Sequence, residues 1–86
     1  MKIFKYPIKM AGYQIVNMPF SARILTVAYQ NGTICLWALV EEGLKNEERV
    51  IEIFGTGHHL SDDSKKYIGT LHDPIGLVWH IFELDN

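Results

Sequence analysis

The stretch TVAYQNGTICLWALV, residues 26–40, limits what this chain can fold into more than any other part of it. Asn31-Gly32 is the favoured pair for a two-residue type I′ turn, because both central residues need a positive φ. The runs on either side are rich in β-branched and aromatic residues and read as the arms of a hairpin. A two-residue turn then dictates the pairing. Gln30 faces Thr33, Tyr29 faces Ile34, Ala28 faces Cys35, Val27 faces Leu36, Thr26 faces Trp37 and Leu25 faces Ala38. Paired residues share a face and successive pairs alternate. One face therefore carries Leu25, Val27, Tyr29, Ile34, Leu36 and Ala38, and is the expected core side. The other carries Ile24, Thr26, Ala28, Cys35, Trp37 and Leu39. It is too apolar for a fully solvated surface, so another part of the fold or another chain is expected to cover it.

The remaining runs are also short and strand-like. KIFKYPI opens the chain, with Pro7 at a strand end or an edge position. YQIVNM runs up to Pro19. ERVIEIF places Ile51 and Ile53 on one side, and Val50, Glu52 and Phe54 on the other. KYIGTLH and GLVWHIFEL form a second candidate hairpin around Asp73-Pro74-Ile75-Gly76, a cluster of turn formers. The last strand is apolar on both faces and is expected to be central. No segment has helical periodicity. EEGLKNEE reads as a loop, and SDDSKK allows one short helical turn with Ser61, Asp62 or Asp63 as its cap. The pattern predicts an all-β fold, a small antiparallel sandwich or barrel of about six short strands with at most one short helical turn.

At 86 residues the chain is read as a single domain spanning 1–86, too short for two cores. A domain this small has modest stability, and association through a sheet edge or an apolar patch is an expected remedy. Homo-oligomerisation is therefore expected. Cys35 is the only cysteine, so no intrachain disulfide is available. A lone thiol without a signal-peptide pattern points to a reducing, cytoplasmic setting. No run approaches the ~18 apolar residues of a membrane-spanning helix. Ten acidic and eight basic side chains are spread along the chain, for a net charge of −2. That argues against nucleic acid, whose binding needs clustered Lys and Arg.

The chemistry-bearing residues concentrate in GTGHHLSDD, residues 55–63. In an extended chain His58 and His59 point to opposite sides, so they do not readily share one ion. A helical zinc pair needs wider spacing, and one cysteine makes no thiolate cluster. Gly55 and Gly57 read as turn residues, and Asp62 and Asp63 as a solvated loop or a cap. No metal and no cofactor are assigned. His80 lies in an apolar strand and reads as a satisfied core or interface histidine. Cys35, between Ile34 and Leu36, reads as an inert small hydrophobe. No catalytic residue is assigned, and the chain is read as a non-enzyme.

Four segments occur in order: MKIFKYPI, ARILTVAYQNGTICLWALV, FGTGHHL and YIGTLHDPIGLVWHIFE. Together they resemble a family of small proteins encoded by phages and prophages, with no established activity. CLWALV, GTGH, YIGT and VWHIFE carry the likeness, which covers nearly the whole chain. His58 matches a histidine of the family motif, whereas His59 stands where proline is common. The turn from His72 to Gly76 varies in length in that family. The resemblance implies a phage origin and hence a bacterial host cytoplasm. By analogy of context it implies stoichiometric binding to a host protein, including inhibition of anti-phage defence.

The expected contact surface for a host protein comprises Trp37, Thr56, His58, Asp62 and Asp63. The alternative is a small-ligand protein, binding a nucleotide-like molecule with the loop 55–63. There Thr56, His58 and the backbone N–H groups of the glycine turn would meet the ligand.

Overall fold

The computed structural model describes residues 1–60 and 65–84. Asp62, Asp63 and the first four residues of SDDSKK, 61–64, lie outside the described residues, and Lys66 at its end opens a strand. The fold is all-β, with seven strands rather than about six, and no helix among the described residues. Strand β1 is Lys2–Pro7, β2 Tyr13–Pro19, β3 Arg23–Gln30, β4 Thr33–Val40, β5 Asn46–Gly55, β6 Lys66–His72 and β7 Val78–Glu83. They form two antiparallel sheets, one ordered β1-β4-β3 and the other β2-β5-β7-β6. Strand β5 begins earlier than the run ERVIEIF, at Asn46, because Glu47 and Glu48 pair with Met18 and Asn17 on β2.

The β3–β4 hairpin turns at Asn31 and Gly32, whose φ values of 51° and 79° are those of a type I′ turn. Its register follows the expected pairing from Gln30↔Thr33 to Thr26↔Trp37. One position beyond, it departs. A β-bulge sets Ile24, not Leu25, opposite Ala38. An extra residue reverses the alternation, so Ile24 joins the inner face and Leu25 is 41% exposed. The expectation of Leu25 in the core and Ile24 outside is corrected accordingly.

The inner faces of both sheets meet in the core. Val27, Ile34 and Leu36 pack against Ile51, Ile53, Leu71 and Ile81. A second cluster, Met18, Ala22, Ala38 and Val40, fills the end where β4 finishes. The sheets approach closely at Gly69, where a Cβ would lie 2.9 Å from Val27 Cγ1. A bulge at Ile68 aims the glycine inward. That is the physical content of the YIGT motif.

One charged pair is built into this interior. Glu83 is 7% exposed, and the Arg49 guanidinium grips it with both Nε and Nη2, the latter at 3.0 Å. Nη1 donates to the Ala22 carbonyl at 2.7 Å. The hydrogen bond to Glu83 raises the Arg49 pKa, against a smaller opposing effect of burial.

Candidate functional site

Four connections converge at one end of the sandwich: residues 8–12, the Asn31-Gly32 turn, residues 56–60 and residues 73–77. Antiparallel pairing dictates this, since β1, β3, β5 and β6 end there while β2, β4 and β7 begin.

The GTGH stretch is a turn that closes on itself. His58 N–H donates to the Gly55 carbonyl at 3.1 Å, with Gly57 at φ 89° in the third position. The Gly55 N–H in return donates to His58 Nδ1 at 3.0 Å. The imidazole lies over Gly55, where a Cβ would meet three ring atoms at 3.0–3.3 Å. Gly57 thus supplies the backbone conformation and Gly55 the space for the ring. Accepting at Nδ1 puts the proton of the neutral ring on Nε2.

Thr56 turns the other way, onto the outer face of the four-stranded sheet. Its Oγ1 is 2.9 Å from His80 Nε2. His80 Nδ1 is 3.2 Å from Thr70 Oγ1, which is 2.5 Å from the Tyr67 hydroxyl. A hydroxyl can either donate or accept, so Thr56 and Thr70 satisfy either His80 tautomer. Among the described residues no carboxylate contacts the imidazole in this network to orient it for proton transfer, and His80 is a half-buried, hydrogen-bonded side chain.

Trp37 stands apart from these groups. Leu36 and Ala38 point into the core, so Trp37 points to the outer face of the three-stranded sheet, between Lys5 and Thr26. The structure does not bring Trp37 together with Thr56 and His58. Cys35 shares that outer face but is buried, with Sγ 3.7 Å from the Thr33 carbonyl.

The loop end holds groups that sequence reasoning passed over. Ile75 is 81% exposed, and Met10 and Leu77 are about half exposed. A depression of about 350 Å³ is lined by Gly55, Thr56, His58, Leu77 and Trp79. A second, of about 280 Å³, shares His58 and Trp79 and reaches Met10 and Ile53. Trp79 Nε1 and the Tyr29 hydroxyl are buried without a hydrogen-bond partner among the described residues. Burial, and then the Asp73 carboxylate, hold the Tyr29 phenol above its ordinary pKa. One signal was available in advance. An isoleucine at the tip of Asp73-Pro74-Ile75-Gly76 occupies a turn position where polar residues are the rule.

Among the described residues no group of three His, Cys, Asp or Glu side chains is placed to hold a metal ion. No helix among them is long and apolar enough to cross a membrane.

A family model, the domain of unknown function DUF7352, matches residues 1–86. The chain belongs to the DUF7352 family. No curated protein and no solved structure matches it. Membership of DUF7352 spans every strand of the sandwich and both hairpins, so the loop end belongs to the family's domain and is no appendage to it.

Proposed function

We propose that this DUF7352 protein is a non-enzymatic accessory protein of phage or prophage origin, acting in the bacterial host cytoplasm by stoichiometric binding to a host protein. A protein of the anti-phage defence is the partner class that the resemblance favours. The observation that carries the reading is the exposure of Leu77 and Met10 at the Trp79–His58 depressions, with Ile75 exposed on the adjoining 73–77 turn. Apolar anchors beside a shallow hollow, on loops held by a rigid sheet scaffold, suit protein recognition better than turnover. The end loops carry the contact, with Trp37 on its separate face as a second candidate anchor.

The test is quantitative capture from host lysate with wild type, Ile75→Glu/Leu77→Glu and Trp37→Glu, each first shown to keep its fold. A host protein retained near one-to-one by wild type and lost with the Ile75/Leu77 variant supports the end loops. Loss with Trp37→Glu alone moves the contact to the other face. Equal retention by all three refutes both surfaces.

The Trp79 indole N–H, buried without a partner among the described residues, favours a second reading, a small-ligand protein using the same depression. A buried donor without a partner calls for one. Native mass spectrometry of protein isolated from a bacterial host would then show a stoichiometric added mass, and a clean apo mass counts against it.

A further inference from the structure

Four strands lie at sheet edges: β1 and β3 in one sheet, β2 and β6 in the other. An edge presents unpaired N–H and C=O groups, and proteins guard edges with lysine, proline, bulges or covering elements. Three of the four are guarded here. Strand β1 carries Lys2, Lys5 and Pro7. Strand β3 begins at Arg23 and bulges at Leu25. Strand β6 begins at Lys66, bulges at Ile68 and presses Gly69 against β3. Strand β2 has no charged residue and no bulge, and its single proline is the terminal Pro19.

The free hydrogen-bonding groups on β2 can be assigned. Gly12 accepts from Ile53 N–H, and Phe20 N–H donates to Lys45, so even-numbered residues turn their backbone groups toward β5. Alternation then turns those of Tyr13, Ile15 and Asn17 toward the open edge. At the flanks, Ala11 N–H is already bonded to Lys9, and Pro19 has no N–H. The free donors are thus distributed symmetrically about Ile15. Tyr13 and Ile15 are also 58% and 48% exposed on the outer sheet face. Ile15 lies beside Val50, to which Leu84 bonds from the other side, forming an apolar row that stops at the edge.

We propose that two copies of this chain pair antiparallel through β2, about a two-fold axis at Ile15, joining their larger sheets into one continuous sheet. In that register each Ile15 N–H donates to the Ile15 carbonyl of the other copy. Tyr13 and Asn17 exchange their two bonds across the axis, so every free donor on this edge finds a carbonyl. The row Leu84–Val50–Ile15 meets its own image, and no charged β2 side chain meets a like charge. A self-complementary patch of this kind is what an isologous interface requires. The interface uses neither Ile75, Leu77 nor Trp37, so it stands or falls separately from host-protein binding.

The test follows mass against concentration by light scattering, with amide exchange read by NMR on the same samples. The expected result is a monomer–dimer transition in which the Tyr13, Ile15 and Asn17 amides gain protection with concentration. The Gln14, Val16 and Met18 amides stay protected throughout. Ile15→Pro removes an N–H without an intrachain acceptor among the described residues, and Ile15→Lys sets two ammonium groups together at the axis. Each is expected to weaken dimerisation at least about tenfold. Should Ile15→Pro disturb folding, Ile15→Lys carries the test with the backbone unchanged. A chain that stays monomeric at the highest concentration overturns the proposal. A dimer indifferent to both variants, or edge amides protected only when a different protein is added, overturns it equally.

Discussion

Replacing Gly69 by alanine tests how closely the two sheets are fitted. Gly69 does not sit at positive φ, so alanine fits its backbone without strain. On backbone entropy alone the change would stabilise by about 0.4–1 kcal/mol. The added Cβ, however, would sit 2.9 Å from Val27 Cγ1, nearly an ångström inside ordinary contact. Val27 is buried among Ile34, Leu36 and Leu71 and has little freedom to retreat. Overpacking of this kind costs about 1–3 kcal/mol, so the net expectation is a loss of roughly 1–2 kcal/mol. Val27→Ala alone should cost about 2–3 kcal/mol through lost burial and the cavity left behind. In that background the clashing methyl is gone and the new Cβ enters the vacated space. The double variant should therefore be no less stable than Val27→Ala, instead of showing the sum of the two losses. Urea unfolding of all four proteins at low concentration measures the cycle. A neutral or stabilising Gly69→Ala in the wild-type background, or equal costs in both backgrounds, would refute the close-approach argument.

Glu83→Gln removes the nearer of the two carboxylates facing the Arg49 guanidinium, leaving Glu47 at 3.8 Å, and should cost about 1–3 kcal/mol. Replacing Arg49 and Glu83 together by Met and Leu should recover most of that; urea midpoints check both. Tyr29→Phe removes a buried hydroxyl without a hydrogen-bond partner among the described residues, so stability at pH 7 should be unchanged or higher by up to about 1 kcal/mol. Its pH dependence has a definite sign. The folded phenol is held above its ordinary value of 10.0, first by burial and then by Asp73. Its contribution is complete below pH 10 and is lost as the pH rises from there through the raised folded value. Alkaline destabilisation should be shallower in Tyr29→Phe, leaving the part due to Tyr6, which burial also raises; parallel pH titrations of stability would refute this.

The hairpins and most strands were legible because their determinants are local. Asn31-Gly32 dictates a turn type, and the turn type dictates a register. The bulge at Leu25 was not legible, because Ile24 and Leu25 are both apolar and either satisfies the alternation. The Arg49–Glu83 pair was hidden for a related reason. A charge in a strand reads as solvent-facing unless its partner is known, and the partner lies on β7, 34 residues further along the chain. The GTGH turn was read as a turn, but the packing of His58 over Gly55 depends on side-chain direction. Most of all, the convergence of Met10, Ile75, Leu77 and Trp79 depends on the order β2-β5-β7-β6, which no local pattern encodes.

That strand order also has a consequence for the chain as it is made. Lys2 pairs with Val40, and Tyr13 pairs with Glu52. Strands β1 and β2 are therefore synthesised first but find their partners late, after β4 and β5 have emerged. The β3–β4 hairpin can close as soon as Asn31-Gly32 is out, and offers β1 its first template. Loop closure over such distances makes folding slow relative to a chain of local contacts. Throughout that interval the segment YQIVNM is uncharged and unpaired, so crowding on neighbouring ribosomes would bring like segments together before each has met its own β5.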